Sequence, residues 1–467
     1  MTVCWRINSI PNRTRRATLL EAINKTVDGP FSLAFKDNRR TAIIITESEI
    51  QPEIHLNGRK LSLKRLEESA KSAVDSVTPL WNLSYEDQLA TKAAAVQKAL
   101  AVIAGATSAT VQTHASPIRQ GYRNRCEFTF GFDTEDRPIL GFRTSGYSTG
   151  PNRVTDPSDC IYNVSTEMLD KVKEVNNYLA QHPDLVYNRI SATGLLRLLL
   201  LRRIGTQLVG VLLAAGSSLS ETATNPHLVQ FSQSLQIDSL YLAVSTGIHE
   251  GLPPNTPLHL LHGSNPPHQQ TLGGCQFTLA PLSFFQVNIP VAEILVQIVK
   301  DASANQTILD VCCGSGVLGI CAAQGTTAQV IGLELDAQAI TSAQLNAATN
   351  QTQATYYTGR VEDTLTTALT KVSGPCTALL DPPRAGFPNR LLLSLLSTPN
   401  ITRILYISCS YRLVIENLKT ISKSHFILKQ IHILDMFPYT DQAECVFLFE
   451  KNPNSTAVPN QHHPPSP

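Results

Sequence analysis

The chain has 467 residues, with 38 Lys plus Arg against 37 Asp plus Glu and a formal net charge of +1. Hydrophobic residues make up 42% and charged residues 16%, which is enough apolar material for folded cores and excludes intrinsic disorder for most of the chain. The near-zero charge excludes a uniformly basic nucleic-acid coat; a local basic groove stays open, because binding follows the local field.

The N-terminus, MTVCWRINSIPNRTRR, has no apolar stretch of the secretory type. No uncharged apolar run reaches about 18 residues, the length of a membrane span. These features point to a cytoplasmic or nuclear location and no membrane partner. The Arg-rich start, free of acids before Glu21, is also compatible with a mitochondrial presequence. Ten Cys carry no CxxC pair, which suits a reducing compartment and free thiols, and no metal site is expected.

Residues 1–70 begin with a strand in Val3–Ile10. A helix over Thr18–Val27 carries Leu19, Leu20, Ile23 and Val27 at helical spacing. Strands at Phe31–Phe35, Thr41–Thr46 and Lys60–Leu66 complete a small α+β module of the RNA-recognition type. Thr46–His55 is short for that module's second helix, and DNRRTAIIIT lacks the aromatics that stack bases. Residues 71–115 read as a linker and a helix opened by Ser84, with Leu89, Ala93, Val96 and Leu100 as its stripe. Residues 116–285 hold short strands between Gly and Pro turns, a β-rich central domain expected to contact RNA.

Over residues 286–452 strands at Thr307–Cys313, Gln329–Glu334, Ala354–Thr358, Thr377–Asp381 and Ile404–Cys409 alternate with helical stretches. Such a βαβ series makes a parallel sheet with helices on both faces. It closes with Phe426–Phe437 and Ala443–Glu450, joined by the short turn Pro438–Gln442 into an antiparallel hairpin. Residues 453–467, with five Pro, read as a disordered tail.

Four motifs fall at strand ends of this α/β sheet. LDVCCGSG places Gly314 and Gly316 between a strand and a helix, where glycine lets a ligand approach an open helix N-terminus. GLELD ends the next strand with Glu334, whose carboxylate can accept two ribose hydroxyls. The missing third glycine argues against a dinucleotide, and the closing hairpin points instead to S-adenosylmethionine. Asp363, after the third strand, either borders an adenine or caps a helix. LLDPPRAGF sets Asp381 on a loop stiffened by Pro382 and Pro383. In ILYISCS Cys409 is the last residue of the apolar strand, between Ser408 and Ser410, and Glu444 heads the last strand. A strand running antiparallel starts at the carboxyl edge of its parallel neighbours, so Cys409 and Glu444 are expected at one crevice. Upstream, LSFFQVN offers Gln286 and Asn288, the latter also a candidate helix cap.

Together FFQVN, LDVCCGSG, GLELD, DPPRAG, LYISCS and LDMFPYTDQAE resemble the RNA uracil-5-methyltransferase (TrmA-type) family, in that family's order over residues 281–450. PLWNLSYEDQL and YRNRCEF are similar to its eukaryotic tRNA members. The resemblance implies a class I S-adenosylmethionine-dependent methyltransferase fold. It implies Cys409 as nucleophile, Glu444 as base, and Gln286, Glu334 and Asp381 on the cofactor side. It also implies tRNA as partner and the T-loop uridine as target. Arg123 and Arg125 are candidates for phosphate contact. Ser410-Tyr411 stands where the family has Asn-Pro, and Gln442 where it often has His. Two alternatives stay open: the same chemistry on ribosomal RNA, and a tRNA-binding folding factor whose methylation is vestigial.

Overall fold

Short strands and a short helix open the chain: β1 (Val3–Ile7), α1 (Arg16–Asn24), β2 (Phe31–Phe35), β3 (Ala42–Thr46), β4 (Glu53–Leu56) and β5 (Arg59–Arg65). The structure is a computed structural model. It describes residues 3–7, 10–11, 16–25, 27, 31–35, 42–46, 53–56, 59–65, 73–144, 152–158, 160, 162–189, 191–245, 251–253, 255–264, 267–304, 306–384 and 386–453. The five strands form an antiparallel sheet in the order β2-β3-β1-β5-β4. Leu19 and Ile23 of α1 are buried with Ile7, Ile44, Ile54 and Leu61. The segment expected to be short for a second helix lies largely outside the described residues, as does the tail from 454 onward.

After α2 (Ala73–Val77), α3 (Tyr85–Leu100) starts where Ser84 accepts the backbone N–H of Asp87, and β6 (Thr110–His114) follows. The next stretch contains β7 (Arg125–Phe132), β8 (Pro138–Arg143), β9 (Val154–Thr155), α4 (Thr166–Leu179), β10 (Leu196–Ile204), β11 (Gln207–Ala215), α5 (Leu219–Ala223), α6 (Pro226–Ser234), β12 (Ser239–Ser245) and β13 (His259–Gly263). Its strands form one sheet in the order β13-β12-β11-β10-β7-β8-β9, with only β11 and β12 parallel. The expected β-rich domain is more mixed than its sequence suggests. Met168, Val172 and Val175 of α4, with Leu228 and Phe231 of α6, share a core with Phe128, Phe130, Leu199 and Leu212 of the sheet.

The remaining elements are β14 (Gln269–Leu272), β15 (Cys275–Thr278), α7 (Ile289–Ser303), β16 (Thr307–Val311), α8 (Val317–Ala323), β17 (Val330–Glu334), α9 (Ala337–Thr349), β18 (Ala354–Thr358), α10 (Val361–Leu369), β19 (Cys376–Leu380), α11 (Asn389–Leu396), β20 (Ile401–Ser408), α12 (Ile415–Ser422), β21 (Phe426–Leu434) and β22 (Glu444–Lys451). They build an eight-stranded sheet in the order β18-β17-β16-β19-β20-β22-β21-β6. The strands from β18 to β20 are parallel, and β22 runs antiparallel to both β20 and β21. That is the expected α/β sheet with its terminal hairpin. β16 and β19 are apolar and buried because helices cover both faces of a parallel sheet.

The chain divides into two compact units, Met1–Trp81 with Arg123–Pro266, and Asn82–Tyr122 with Pro267–Pro467. Two expected boundaries therefore shift. The 71–115 segment is not a free linker: β6 pairs in parallel with β21 as the eighth strand of the α/β sheet. Residues 267–285, expected in the central domain, belong to the second unit. There the side chain of Asn346 on α9 accepts the N–H of Thr278, and that of Asn350 the N–H of Gln276, both at 2.8 Å. Among the described residues no helix is long and apolar enough to cross a membrane.

Candidate active site

β16 ends in a turn that ordinary residues adopt reluctantly. Cys312 has φ +64°, and Gly316, at the N-cap of α8, has φ +80°. A Cβ on Gly316 would stand 2.8 Å from the hydroxyl of Tyr356 and 3.0 Å from Ile320, so only glycine fits. A Cβ on Gly314 would meet nothing within 4 Å, so the open side of the turn faces free space. The N–H of Gly314 donates to Glu334 at 3.0 Å, and those of Leu335 and Asp336 donate to its other oxygen at 2.7 and 3.0 Å. Three backbone donors thus immobilise the carboxylate that ends β17, while the oxygen bound by Gly314 keeps one lone-pair site for a hydroxyl.

Beneath the turn lies Asp310, which sequence reasoning did not single out. It is 1% exposed, and one of its oxygens accepts the N–H of Gly319 at 3.0 Å. Burial pushes its carboxyl up to about 7 against the pull of that hydrogen bond, and the charges of Asp381 and Glu334 push the same way. Asp381, at the end of β19, is partly accessible, but protein crowds its carboxyl and raises it to about 7 as well. The signal for Asp310 was present in the sequence: an acid inside an apolar strand is a costly burial that needs a reason.

At the other end of the same edge, β20 and β22 pair in the register Arg403↔Glu450 through Ser408↔Cys445. One further step puts Cys409 opposite Glu444, as the topology argument expected. Cys409 is partly exposed and Glu444 is buried. Arg384, on the loop that follows Asp381, brings its positive charge near the Cys409 thiol. Burial raises the thiol, the charge of Glu444 raises it further, and Arg384 opposes both. Glu444 is held well above the usual carboxylate range by burial first and by Asp381 second. Acids thus outnumber bases in the cluster, with Asp381 and Glu444 against Arg384.

The FFQVN segment delivers Gln286, partly buried, just ahead of α7. Asn288 occupies the N-cap of α7 but makes no side-chain capping bond. Its amide nitrogen donates instead to Ser116 at 3.0 Å and to the backbone oxygen of Met436 at 3.3 Å. Asp363 lies exposed in the first turn of α10. Arg123 and Arg125 lie in the first unit, where Arg123 donates to the backbone oxygen of Arg125 at 3.2 Å and Arg125 pairs with Glu127 at 2.8 Å.

The family profile described as tRNA (Uracil-5-)-methyltransferase matches residues 275–452. The Danio rerio protein called tRNA (uracil-5-)-methyltransferase homolog B is 30% identical over 420 residues, covering 81% of this chain and 86% of that protein. This chain belongs to the tRNA (uracil-5-)-methyltransferase family. The human homolog A is 29% identical over 447 residues, covering 84% of this chain and 70% of that protein. The crystal structure of the Pyrococcus abyssi tRNA (uracil-54, C5)-methyltransferase in complex with S-adenosyl-L-homocysteine aligns with a TM-score of 0.63 at 22% identity, over 85% of this chain and 92% of that one. The tRNA (uracil-5-)-methyltransferase fold is therefore present here: a class I, S-adenosylmethionine-dependent methyltransferase sheet with its terminal hairpin.

Proposed function

We propose that the protein methylates carbon-5 of a uridine in tRNA, the T-loop uridine, through a covalent adduct on Cys409. The observation that carries this reading is the direct opposition of Cys409 and Glu444 across the β20–β22 register, beside Asp381 and Arg384. The residues around the glycine turn suit the methyl donor. Gly314 opens onto free space, Glu334 offers a free acceptor site for a ribose hydroxyl, and Asp310 and Asp381 complement a positively charged ligand. Gln286, Gly314, Gly316, Glu334 and Asp381 would hold it, and when bound it supplies an electrophilic methyl group.

Carbon-5 of uracil is a weak nucleophile on its own. The Cys409 thiol loses its proton to solvent, and the thiolate adds to carbon-6. The electron pair of the carbon-5–carbon-6 bond moves toward the carbon-4 oxygen as an enolate. Carbon-5 would then take the methyl group, the bond from the methyl carbon to the donor's sulfur breaking with its electron pair left on the sulfur. Glu444, having first released its own proton to solvent, takes the remaining carbon-5 proton, the double bond reforms, and the Cys409 thiolate leaves. Arg384 stabilises the thiolate at both ends of this cycle. Glu444, once ionised, is a strong acceptor because its buried site favours the protonated form. A uridine in folded RNA reaches such a crevice only when unstacked, and Arg123 and Arg125 are the proposed phosphate contacts.

The test is methyl transfer from labelled donor to undermodified tRNA, read as 5-methyluridine. Cys409→Ala is expected to abolish product, and Glu444→Gln to accumulate a covalent protein–RNA adduct resolved on a denaturing gel. Product from Cys409→Ala at the wild-type rate would remove the nucleophile assignment. Methylation of ribosomal RNA alone would favour the ribosomal reading. Tight tRNA binding without methyl transfer would favour the folding-factor reading that Ser410, Tyr411 and Gln442 motivate.

A further inference from the structure

Asn417 lies on α12 and is 7% exposed, with no reactive group of its own. Its side-chain oxygen accepts the backbone N–H of Phe387 and the hydroxyl of Tyr406, both at 2.8 Å. Its side-chain nitrogen donates to the backbone oxygen of Phe387 at 2.7 Å and to the side-chain oxygen of Asn389 at 3.0 Å. An amide has two donor hydrogens and two acceptor sites, and here all four are used.

Those bonds fall on two elements of the reactive rim. Phe387 ends the loop that starts at Asp381 and carries Arg384. Tyr406 lies on β20, three positions before Cys409. The loop comes close enough to be clamped because Gly386, with φ +81°, has no Cβ; one added there would stand 2.8 Å from the Asn417 oxygen. The N–H of Gly386 also donates to the oxygen of Pro383 at 2.8 Å. Arg384, between the two prolines and the clamp, is exposed. A fixed loop limits how far such a long, mobile side chain strays from the thiol.

We propose that Asn417 is a positioning residue: it ties the strand leading to Cys409 to the loop carrying Arg384, and so keeps the guanidinium near the thiol. The proposal rests on Cys409 being the reactive thiol, yet its test reads the thiol directly and needs no turnover. The full-length protein is alkylated with iodoacetamide from about pH 7 to about pH 11, and the Cys409 peptide is quantified by mass spectrometry. Asn417→Ala is expected to move the Cys409 midpoint upward and slow alkylation near pH 8 by about three- to tenfold. Arg384→Gln should do the same, and the double variant should match Arg384→Gln alone. Tyr406→Phe removes one of the four bonds and should give a smaller shift in the same direction. A merely structural role would instead raise the reactivity of the buried Cys376 and Cys445 and leave the Cys409 midpoint in place.

The proposal is overturned by a folded Asn417→Ala with the wild-type midpoint, or by effects of Asn417→Ala and Arg384→Gln that add in full. Should Asn417→Ala not fold, an unchanged midpoint in Tyr406→Phe overturns it equally. Methyl transfer that survives Cys409→Ala would sink the catalytic reading without touching this result.

Discussion

Asp310 shows how much a single carboxyl contributes to this site. Its folded-state value of about 7 lies above the usual carboxylate value of about 3.9. Between those two pH values the folded protein holds a proton that the unfolded chain has released. Stability from this group is therefore lost as pH rises through that window, and the cost is complete above it. Burial depresses His114 and His432, with His432 at about 4. They act oppositely, losing stability as pH falls below about 6.5. The wild-type profile is thus a sum, and a difference between variants isolates one member. Asp310→Asn keeps an oxygen for the Gly319 N–H and removes the charge. Its melting temperature should exceed the wild-type value by several degrees at pH 8 and by little or nothing at pH 4. Equal offsets at both pH values would contradict the account. Glu334, Asp381, Cys409 and Glu444 were legible in the sequence because each ends or begins an apolar strand. Asn417 was not, because its clamped partners include backbone atoms of a loop 30 residues away.

At the scale of elements, the approach to Glu444 is held by α3. Lys92 and Asp435 form an ion pair of 2.5 Å with side chains 2% and 1% exposed. The Tyr85 hydroxyl donates to the other Asp435 oxygen at 2.7 Å, and Lys92 also donates to the backbone oxygen of Phe437 at 2.9 Å. Gln88 accepts the N–H of Tyr439 at 2.9 Å. One helix thus fixes three points of the connection from β21 into β22. Removing one partner of a buried pair strands the other charge in low dielectric. Lys92→Ala should therefore cost about 3–5 kcal/mol of stability, measured by chemical denaturation. It should also lower methyl transfer by displacing Glu444; a loss under about 1 kcal/mol would place the pair with ordinary surface ion pairs. The hairpin itself was readable, since two apolar runs at the end of a βαβ series have few other partners. Its length was misjudged: nine residues join the strands, because the Asp435 side chain and the Phe437 carbonyl go to this buried network and β21 ends its pairing with β22 at Leu434. β6 left no comparable trace. TVQTH is short, largely polar and at the sheet's edge, where neither face demands an apolar pattern.

At the scale of the molecule, the catalytic unit is discontinuous in sequence. Residues 82–122 are separated from 267–453 by strands and helices of the other unit. Composition cannot reveal this, because β-rich and α/β segments each look complete where they stand. The core shows the dependence. Val96, Leu100 and Ile103 are buried in the same cluster as Phe426, Leu428, Ile431 and Phe447. Each apolar side chain so buried contributes about 1.5–3 kcal/mol. Without them, that apolar surface would face water and β21 would become an unpaired edge of nine residues, FILKQIHIL. Such an edge templates association with other chains. A fragment spanning residues 267–453 should therefore aggregate or unfold without cooperativity, although it contains every residue proposed for the chemistry. Co-expression with residues 82–122 as a second chain should restore solubility and a cooperative thermal transition. A soluble 267–453 fragment melting within a few degrees of the same unit in the full chain would show that α3 and β6 decorate the sheet rather than complete it.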